Sequence, residues 1–235
     1  MQSPGRRQAP EAGFPVTASY STEGRVMAAP SAKSLFRATG NVSTDTTPRE
    51  EHDFYPTPAE VTRAFLAYEG DKLRQLGTVW EPACGDGAMM REFEAYGLPC
   101  IGTDLIDRGC DGAELRSFYD FDQTLAPAIV TNPPYCEINA RDGRGRWLSH
   151  ALSLGAEYVA FFLNADWPYA AGLAGLLAQH PISRVYGCRW KVDFTGKGAP
   201  PQRNAWFIWD RAWTGQETAF RLMDRNDARQ GELTL

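Results

Sequence analysis

The sequence has few residues of the kinds that build metal centres and disulfide frameworks. It contains three histidines and five cysteines among 235 residues. The cysteines form no Cys-x-x-Cys pair, so neither a zinc cluster nor a secreted disulfide scaffold is indicated. No run approaches the roughly 18 apolar residues of a membrane span, and the amino terminus lacks the apolar core of a signal peptide. We therefore expect a cytoplasmic protein with reduced thiols, no metal ion and no membrane partner.

The sequence also lacks an excess of positive charge. Its formal net charge is −5, whereas nucleic-acid-binding domains usually carry a basic patch. Basic residues do gather locally, around Arg144 and Arg146 and again around Lys191. These side chains are candidate phosphate contacts. The competing explanation is a solvated loop, which is the better one for any single residue among them.

The order of apolar and polar segments predicts the domain organisation. Residues 1–50 are rich in small and turn-forming residues without an apolar period, which predicts a disordered arm. Residues 51–212 alternate between strand and helix patterns, and residues 213–235 are expected to form a tail. Alternation of this kind favours an α/β fold with a mostly parallel sheet and helices on both faces. Strands are predicted at 78–81, 100–104, 128–132, 157–164, 183–190 and 205–209, with a weaker one near 114–118, and helices at 88–94, 147–154 and 167–179.

The start of one further helix is predicted from a capping pattern. Thr57 has the character of an N-cap residue, Pro58 suits the first helical position, and Glu60 is placed to reach back. Near the other end of the chain, the last two predicted strands are joined by the Gly/Pro-rich segment 196–201. That connection predicts an antiparallel hairpin.

The most informative motif is the tetrapeptide at residues 132–135. Asn132, Pro133, Pro134 and Tyr135 directly follow the apolar run 128–131. An amide at the end of a strand, stiffened by two prolines and followed by an aromatic ring, can hold a planar amine. The amide oxygen and the Pro133 carbonyl would accept the amine hydrogens while the ring stacks on its face. A strand-terminating turn is the alternative interpretation.

A second motif predicts a nucleotide site. A short strand at 79–81 runs into the turn Gly85-Asp86-Gly87 and then a helix, and the next strand ends in Asp104. Strand, glycine turn, helix, strand and acid is the pattern of a nucleotide-binding βαβ unit. The third glycine of the dinucleotide fingerprint is missing, and the acids flanking the turn suit a cationic ligand better than a pyrophosphate. Since all these motifs end strands of one sheet, we expect them to meet in one cleft.

These motifs, together with the segment 53–58 (Asp-Phe-Tyr-Pro-Thr-Pro), resemble the class I S-adenosylmethionine-dependent methyltransferases, specifically those that methylate adenine N6 in DNA. The resemblance covers about residues 53–210. It implies a Rossmann-like catalytic domain whose seven-stranded sheet has an antiparallel strand at the carboxyl-terminal end. It implies S-adenosylmethionine as cofactor, no metal, and transfer to a base that is flipped out of the DNA.

The resemblance also assigns roles to individual residues. Asp120 would read the cofactor adenine, with Asp122 as the alternative, and Phe121 would pack on that ring. Trp167 or Phe194 would form the second aromatic wall of the target site, unless they are core aromatics. The catalytic candidates are Asn132, Pro133, Pro134 and Tyr135. The cofactor candidates are Tyr55, Thr57, Glu81, Ala83, Cys84, Gly85, Asp86, Gly87, Asp104, Leu105, Asp120 and Phe121. The substrate candidates are Tyr135, Trp167, Phe194, Arg144, Arg146 and Lys191.

Four functions remain open from the sequence. The leading one is DNA adenine N6 methylation by a compact, phage-like enzyme, monomeric or weakly dimeric, whose sequence contains no separate target-recognition region. The second is a glutamine N5-methyltransferase acting on a protein. Such enzymes share the tetrapeptide, because an amide nitrogen is as weak a nucleophile as the adenine amine. An RNA adenine N6-methyltransferase is the third option. A cofactor-binding scaffold without activity is the fourth.

Overall fold

The computed structural model describes residues 55–139, 144–194, 196, 198 and 202–227. Their strands form an eight-stranded sheet of order β3-β2-β1-β4-β5-β7-β6-β8. The strands are β1 (Val79–Glu81), β2 (Cys100–Asp104), β3 (Glu114–Leu115), β4 (Ala128–Thr131), β5 (Tyr158–Asn164), β6 (Arg184–Cys188), β7 (Asn204–Asp210) and β8 (Ala219–Met223). The expected disordered arm, residues 1–50, lies outside the described residues.

The sheet confirms the predicted α/β, Rossmann-like fold class. Strands β3, β2, β1, β4 and β5 pair in parallel, and β7 runs antiparallel to both β5 and β6. The predicted hairpin is therefore present as β6 and β7. The sheet has one strand more than expected, because β8, within the segment assigned to a tail, pairs in parallel with β6.

Five α-helices flank the described strands. They are α1 (Ala59–Leu76), α2 (Ala88–Ala95), α3 (Tyr135–Ile138), α4 (Arg146–Ser153) and α5 (Ala174–Gln179). The helix expected over 167–179 is α-helical only in its last six residues. Two 3-10 turns, at Trp167–Tyr169 and Ala171–Leu173, replace its first part. None of the described helices combines the length and apolar character needed to cross a membrane.

Helix α1 does not begin in the expected way. Its N-cap is Pro58 rather than Thr57, and no side chain makes a capping hydrogen bond. The carbonyl of Pro58 accepts the first helical bond, from the Val61 N–H at 2.9 Å. Thr57 is excluded from this role because its hydroxyl is engaged in the cleft described below.

Hydrophobic cores lie on both faces of the sheet, because successive residues of a strand point to opposite sides. Phe162 belongs to one core with Phe65 of α1, while the preceding residue, Phe161, belongs to the other with Trp147 of α4. The sheet is thus sandwiched between helices. This arrangement fixes the carboxyl ends of β1, β2 and β4 side by side.

A buried polar network ties the opposite edge of the sheet to α1. The Glu69 carboxylate accepts two hydrogen bonds from the Arg184 guanidinium, at 2.8 and 2.9 Å. It also accepts hydrogen bonds from the hydroxyls of Tyr158 and Tyr186, at 3.1 and 2.6 Å. Arg184 further donates to Asp210 at 3.0 Å. The Glu69 carboxylate is therefore paired with a cation and hydrogen-bonded through both oxygens where β5 and β6 begin.

Candidate active site

A single cleft opens at the carboxyl ends of the parallel strands. Glu81 ends β1, Asp104 ends β2 and Asn132 follows β4, and all three line this cleft. The strand order reverses between β1 and β4, which is where α/β sheets bind their ligands. The structure therefore brings together the motifs that were expected to meet.

The glycine turn holds the Asp104 carboxylate by backbone donors. Gly85, at φ 57°, takes a conformation that favours glycine. Its N–H donates to Asp104 Oδ2 at 2.8 Å, and the Ile106 N–H donates to Asp104 Oδ1 at 3.0 Å. A carboxylate offers about four acceptor positions. Asp104 is thus fixed in place with capacity left for ligand hydroxyls.

The other residues of the turn have mixed placements. Asp86 lines the cleft, accepts from the Ala88 N–H at 3.0 Å and forms an ion pair with Arg91 at 3.6 Å. Gly87, predicted to contact the cofactor, is not among the lining residues. A Cβ at this glycine would come within 2.9 Å of the Cys110 sulfur. The second glycine is therefore required for its φ of 78° and for close packing.

Two buried ionisable groups, Glu81 and Cys84, line the cleft near the glycine turn. The Glu81 side chain is buried, and its Oε2 has no hydrogen-bond partner among the described residues. Burial, together with the nearby charges of Asp104 and Asp86, raises the pKa of Glu81 well above its usual value. Burial also raises the pKa of the Cys84 thiol. Cys84 is therefore a neutral packing residue rather than a nucleophile.

The amide of Asn132 is anchored by Thr57. Asn132 Nδ2 donates to the Thr57 hydroxyl oxygen at 3.1 Å. Asn132 Oδ1 is covered from solvent and has no hydrogen-bond partner in the described part of the chain. A buried acceptor without a donor destabilises the folded protein by about 1–3 kcal/mol. A ligand N–H that reached Oδ1, by displacing the groups that cover it, would remove this cost. The amide is thus held through its nitrogen, and its oxygen is the atom left to bind.

Aromatic rings form the wall of the cleft next to Asn132. Tyr55, Tyr135 and Phe194 all line it. The rings of Tyr55 and Phe194 pack edge to face with centroids 6.4 Å apart. Trp167, the other candidate for this wall, instead lies in the core and donates its indole N–H to the Ile138 carbonyl at 2.8 Å. Of the two sequence candidates, only Phe194 reaches the cleft.

The acid expected to read the cofactor adenine does not line the cleft. Asp120 is exposed at the end of a 3-10 turn, and Phe121 is buried against Trp80, with ring centroids 4.9 Å apart. The preceding residues take the lining positions instead, namely Ser117, Phe118 and Tyr119.

The predicted phosphate contacts also lie outside the cleft lining. Arg144, Arg146 and Lys191 are not among the lining residues. Arg146 forms a bidentate ion pair with Glu137, which does line the cleft. Burial alone would raise the pKa of Glu137, but hydrogen bonds from Arg146 and Tyr119 outweigh it and lower the pKa. Arg146 is therefore committed to an internal partner.

Sequence reasoning missed part of the lining. The missed residues share no motif, because they come from the segments that follow β2, β3 and the tetrapeptide. Position alone could have found all but one of them, since they lie within a few residues of a strand end or of Tyr135; the exception is Trp147, which lies in α4. They are Ile106, Arg108, Ser117, Phe118, Tyr119, Cys136, Glu137 and Trp147, beside Pro56, Pro82, Ala88 and Met89, which lie within or next to the predicted motifs.

Comparison with known proteins gives the fold. No protein-family model and no curated protein matches the chain. A candidate class I S-adenosylmethionine-dependent methyltransferase from Listeria monocytogenes matches with a TM-score of 0.54 and 12% identity, over 81% of this chain and 70% of that one. The chain has the class I methyltransferase fold.

Two further structures show how widely this fold is used. The methyltransferase subunit of a type I restriction-modification system from Streptococcus thermophilus matches with a TM-score of 0.54 and 15% identity, over 71% of this chain and 46% of that one. The chain thus spans about half of that subunit. A candidate RNA methyltransferase from Pyrococcus horikoshii matches with a TM-score of 0.52 and 15% identity, over 76% of this chain and 98% of that one. At these identities the methyltransferase fold is common to all three, whereas the substrate has to be argued from the cleft.

Proposed function

We propose that the protein transfers a methyl group from S-adenosylmethionine to the exocyclic N6 amine of adenine in DNA. One observation carries the proposal. An amide anchored through its nitrogen, with its oxygen unpartnered, shares a cleft with a glycine turn and the carboxylate of Asp104. This arrangement combines an acceptor for an amine with a site for an adenosine-containing cation.

The residues of the cofactor half fit S-adenosylmethionine. Asp104 offers a preoriented carboxylate for ribose hydroxyls, and Gly85 allows close approach to the backbone. Glu81 is buried with one unpartnered oxygen and acidic neighbours, which favours a ligand that brings positive charge. When bound, the cofactor supplies an electrophilic methyl group on its sulfonium.

Asn132 and Pro133 would position the amine. An adenine N6 lone pair is delocalised into the ring, so the amine is a weak nucleophile. Asn132 Oδ1 and the Pro133 carbonyl would accept its two hydrogens. These hydrogen bonds would raise the electron density on the amine nitrogen and align that nitrogen with the methyl group of the cofactor. Alignment of this kind and preorganised dipoles supply much of the acceleration in such reactions.

The aromatic wall would hold the base. A base within a duplex must be flipped out to reach the cleft, at a cost of a few kcal/mol. Stacking on aromatic side chains returns roughly 1–3 kcal/mol per base. Tyr135 and Phe194 line the cleft and would flank the purine.

RNA is the second candidate substrate, favoured by one comparison. The candidate RNA methyltransferase is matched over 98% of its length, whereas less than half of the restriction-modification subunit is matched. We therefore include structured RNA beside DNA as a source of the adenine amine.

The test is product identification. The protein is incubated with methyl-labelled cofactor and, separately, duplex DNA, structured RNA and a glutamine-containing release factor. Nucleoside analysis by mass spectrometry should find N6-methyladenine in DNA. Label only in RNA or only on glutamine would refute the DNA assignment while leaving the methyltransferase assignment in place.

The Asn132→Ala variant tests the mechanism. It should lose at least about 100-fold in transfer, since both the acceptor and the alignment are removed. Cofactor binding by calorimetry should stay within about twofold, because Asp104 and the glycine turn are untouched. Normal turnover by this variant would refute the role of the amide.

A further inference from the structure

We propose that Trp147 donates its indole N–H to a ring nitrogen of the cofactor adenine. The inference rests on the proposed function and deepens it. It concerns six lining residues that we group as the distal lobe: Leu105 and Ile106, which follow Asp104, and the mutually contacting Phe118, Tyr119, Glu137 and Trp147. None of these residues except Leu105 was identified from the sequence.

The location of the adenine follows from Asp104 and the strand pairing. A ribose held on Asp104 places the attached base just beyond that carboxylate. Strand β3 runs parallel to β2 with Leu115 opposite Asp104, and the Arg116 N–H donates to the Asp104 carbonyl at 2.8 Å. The segment that follows β3 therefore lies beside the segment that follows β2. The base has to enter the space between them, which is the distal lobe.

The expected reader of the adenine amine is not in this lobe. Asp120 is exposed and does not line the cleft. The purine must therefore be recognised by other groups. An indole N–H is a donor only, so it complements a ring nitrogen of adenine rather than the exocyclic amine.

Trp147 supplies a donor without a partner at this place. Its side chain is 6% exposed, and its Nε1 has no hydrogen-bond partner among the described residues. By contrast, the indole N–H groups of Trp80, Trp167 and Trp209 donate at 3.0, 2.8 and 3.0 Å. A buried donor is normally satisfied, and the lining position of Trp147 offers a ligand atom as its acceptor.

Packing holds the indole in a defined orientation. The Trp147 ring lies 4.3 Å from the Phe118 ring at an interplanar angle of 31°, and Tyr119 packs on it edge to face at 5.8 Å. Tyr119 is in turn fixed by its hydroxyl, which donates to Glu137 at 2.7 Å. The Trp147 indole N–H is therefore held in one orientation before any ligand binds.

Two other tryptophans provide a control for this reasoning. The indole nitrogens of Trp190 and Trp206 are also buried without a partner in the described residues. Neither residue lines the cleft. An unpartnered indole alone thus carries no assignment, and Trp190→Phe becomes the matched variant for the experiment.

The experiment measures binding of S-adenosylhomocysteine by calorimetry. The parent ligand is compared with three analogues in which N1, N3 or N7 of the adenine is replaced by CH. The wild-type protein should bind one analogue about 5- to 10-fold more weakly, which corresponds to the loss of one hydrogen bond. Trp147→Phe keeps an aromatic ring but removes the N–H. It should bind the parent about 5- to 10-fold more weakly and lose the discrimination against that analogue, whereas Trp190→Phe should keep both.

The outcomes separate the inference from the proposed function. Equal binding of all four ligands by the wild type, or discrimination that survives in Trp147→Phe, would overturn the role of Trp147 and leave the cofactor assignment standing. Absence of any binding of S-adenosylhomocysteine to the wild type would overturn the proposed function itself. The wild-type comparison needs no variant, so a variant that fails to fold does not remove the test.

Discussion

Thr57 and Asn132, 75 positions apart in the chain, are joined by a hydrogen bond of 3.1 Å from the amide nitrogen to the hydroxyl oxygen. The bond connects the segment before α1 with the end of β4. It also leaves the amide oxygen as the atom of Asn132 without a hydrogen-bond partner among the described residues. The helix-capping role expected for Thr57 is thus replaced by support of Asn132.

Removal of the Thr57 hydroxyl should lower the rate of methyl transfer. In Thr57→Val the shape is retained, but Asn132 Nδ2 loses its acceptor. A buried unsatisfied group costs about 1–3 kcal/mol, so we expect a loss of roughly 10- to 100-fold in turnover under saturating cofactor. Thr57→Ser, which keeps the hydroxyl, should recover most of the rate. Equal rates for the Val and Ser variants would show that the hydroxyl does not position the amide.

Cofactor affinity should depend on the protonation of Glu81. Its pKa is raised in the empty cleft, and the positive charge of S-adenosylmethionine should lower that pKa in the complex. Binding then releases a proton. The affinity should rise as the pH increases through the pKa of the complex, and should level off above the pKa of the empty protein. Calorimetry in buffers of different ionisation enthalpy measures the proton release, which Glu81→Gln should abolish.

The same residue should affect stability in the absence of ligand. A carboxyl group whose pKa is raised on folding binds its proton more tightly in the folded state. Its stabilising contribution to folding is therefore fully present below the pKa of Glu81 in the unfolded chain. That contribution is lost as the pH rises through the pKa of Glu81 in the folded protein. The melting temperature of Glu81→Gln minus that of wild type should therefore be larger at pH 8 than at pH 4. The opposite trend in thermal denaturation would contradict a raised pKa.

Arg146 and Lys191 should differ in how they affect DNA binding. Arg146 is already paired with Glu137, whereas Lys191 is exposed. If Lys191 contacts a phosphate, Lys191→Ala should reduce the slope of log affinity against log salt by about 1. Arg146→Gln should leave that slope unchanged. A reduced slope for Arg146→Gln would mean that its pairing with Glu137 is exchanged for phosphate in the complex.

The network around Glu69 should matter for stability and not for the chemistry. In Arg184→Met, a carboxylate buried beneath α1 loses its cationic partner, which typically costs about 3–5 kcal/mol. The matched control is Arg189→Met, because the Arg189–Asp224 pair is largely exposed and should contribute at most about 1 kcal/mol. Urea unfolding measures both. Cofactor binding by the folded Arg184→Met protein should equal that of wild type.

The sequence was sufficient where a local pattern determines the structure. The strand before Glu81, the glycine turn and the strand ending in Asp104 follow each other within one βαβ unit, so their meeting needs no long-range information. Asn132 follows a strand of the same sheet and reaches the same edge. The α/β class and the antiparallel β7 were predictable for the same reason.

The sequence was insufficient where a small change in backbone geometry decides which side chain points inward. Phe118 and Tyr119 of the 3-10 turn Phe118–Asp120 line the cleft, whereas Asp120 of the same turn does not. The ion-pair partners of the arginines could not be predicted either, since no sequence pattern indicates that Arg146 binds Glu137. Strand β8 was not predicted, although four of its five residues are apolar; four of the five are exposed, among them Phe220 and Leu222.

Strand β8 also bears on where the chain can be shortened. It pairs with β6 from Arg184 to Cys188, residue by residue with Ala219 to Met223. A fragment ending at residue 212 would lack β8, so the backbone donors and acceptors of β6 on that side would be unpaired. Such an exposed strand edge can pair with a strand of another molecule. Expression boundaries placed before Met223 should therefore yield self-associating material, even though the cleft itself would be intact.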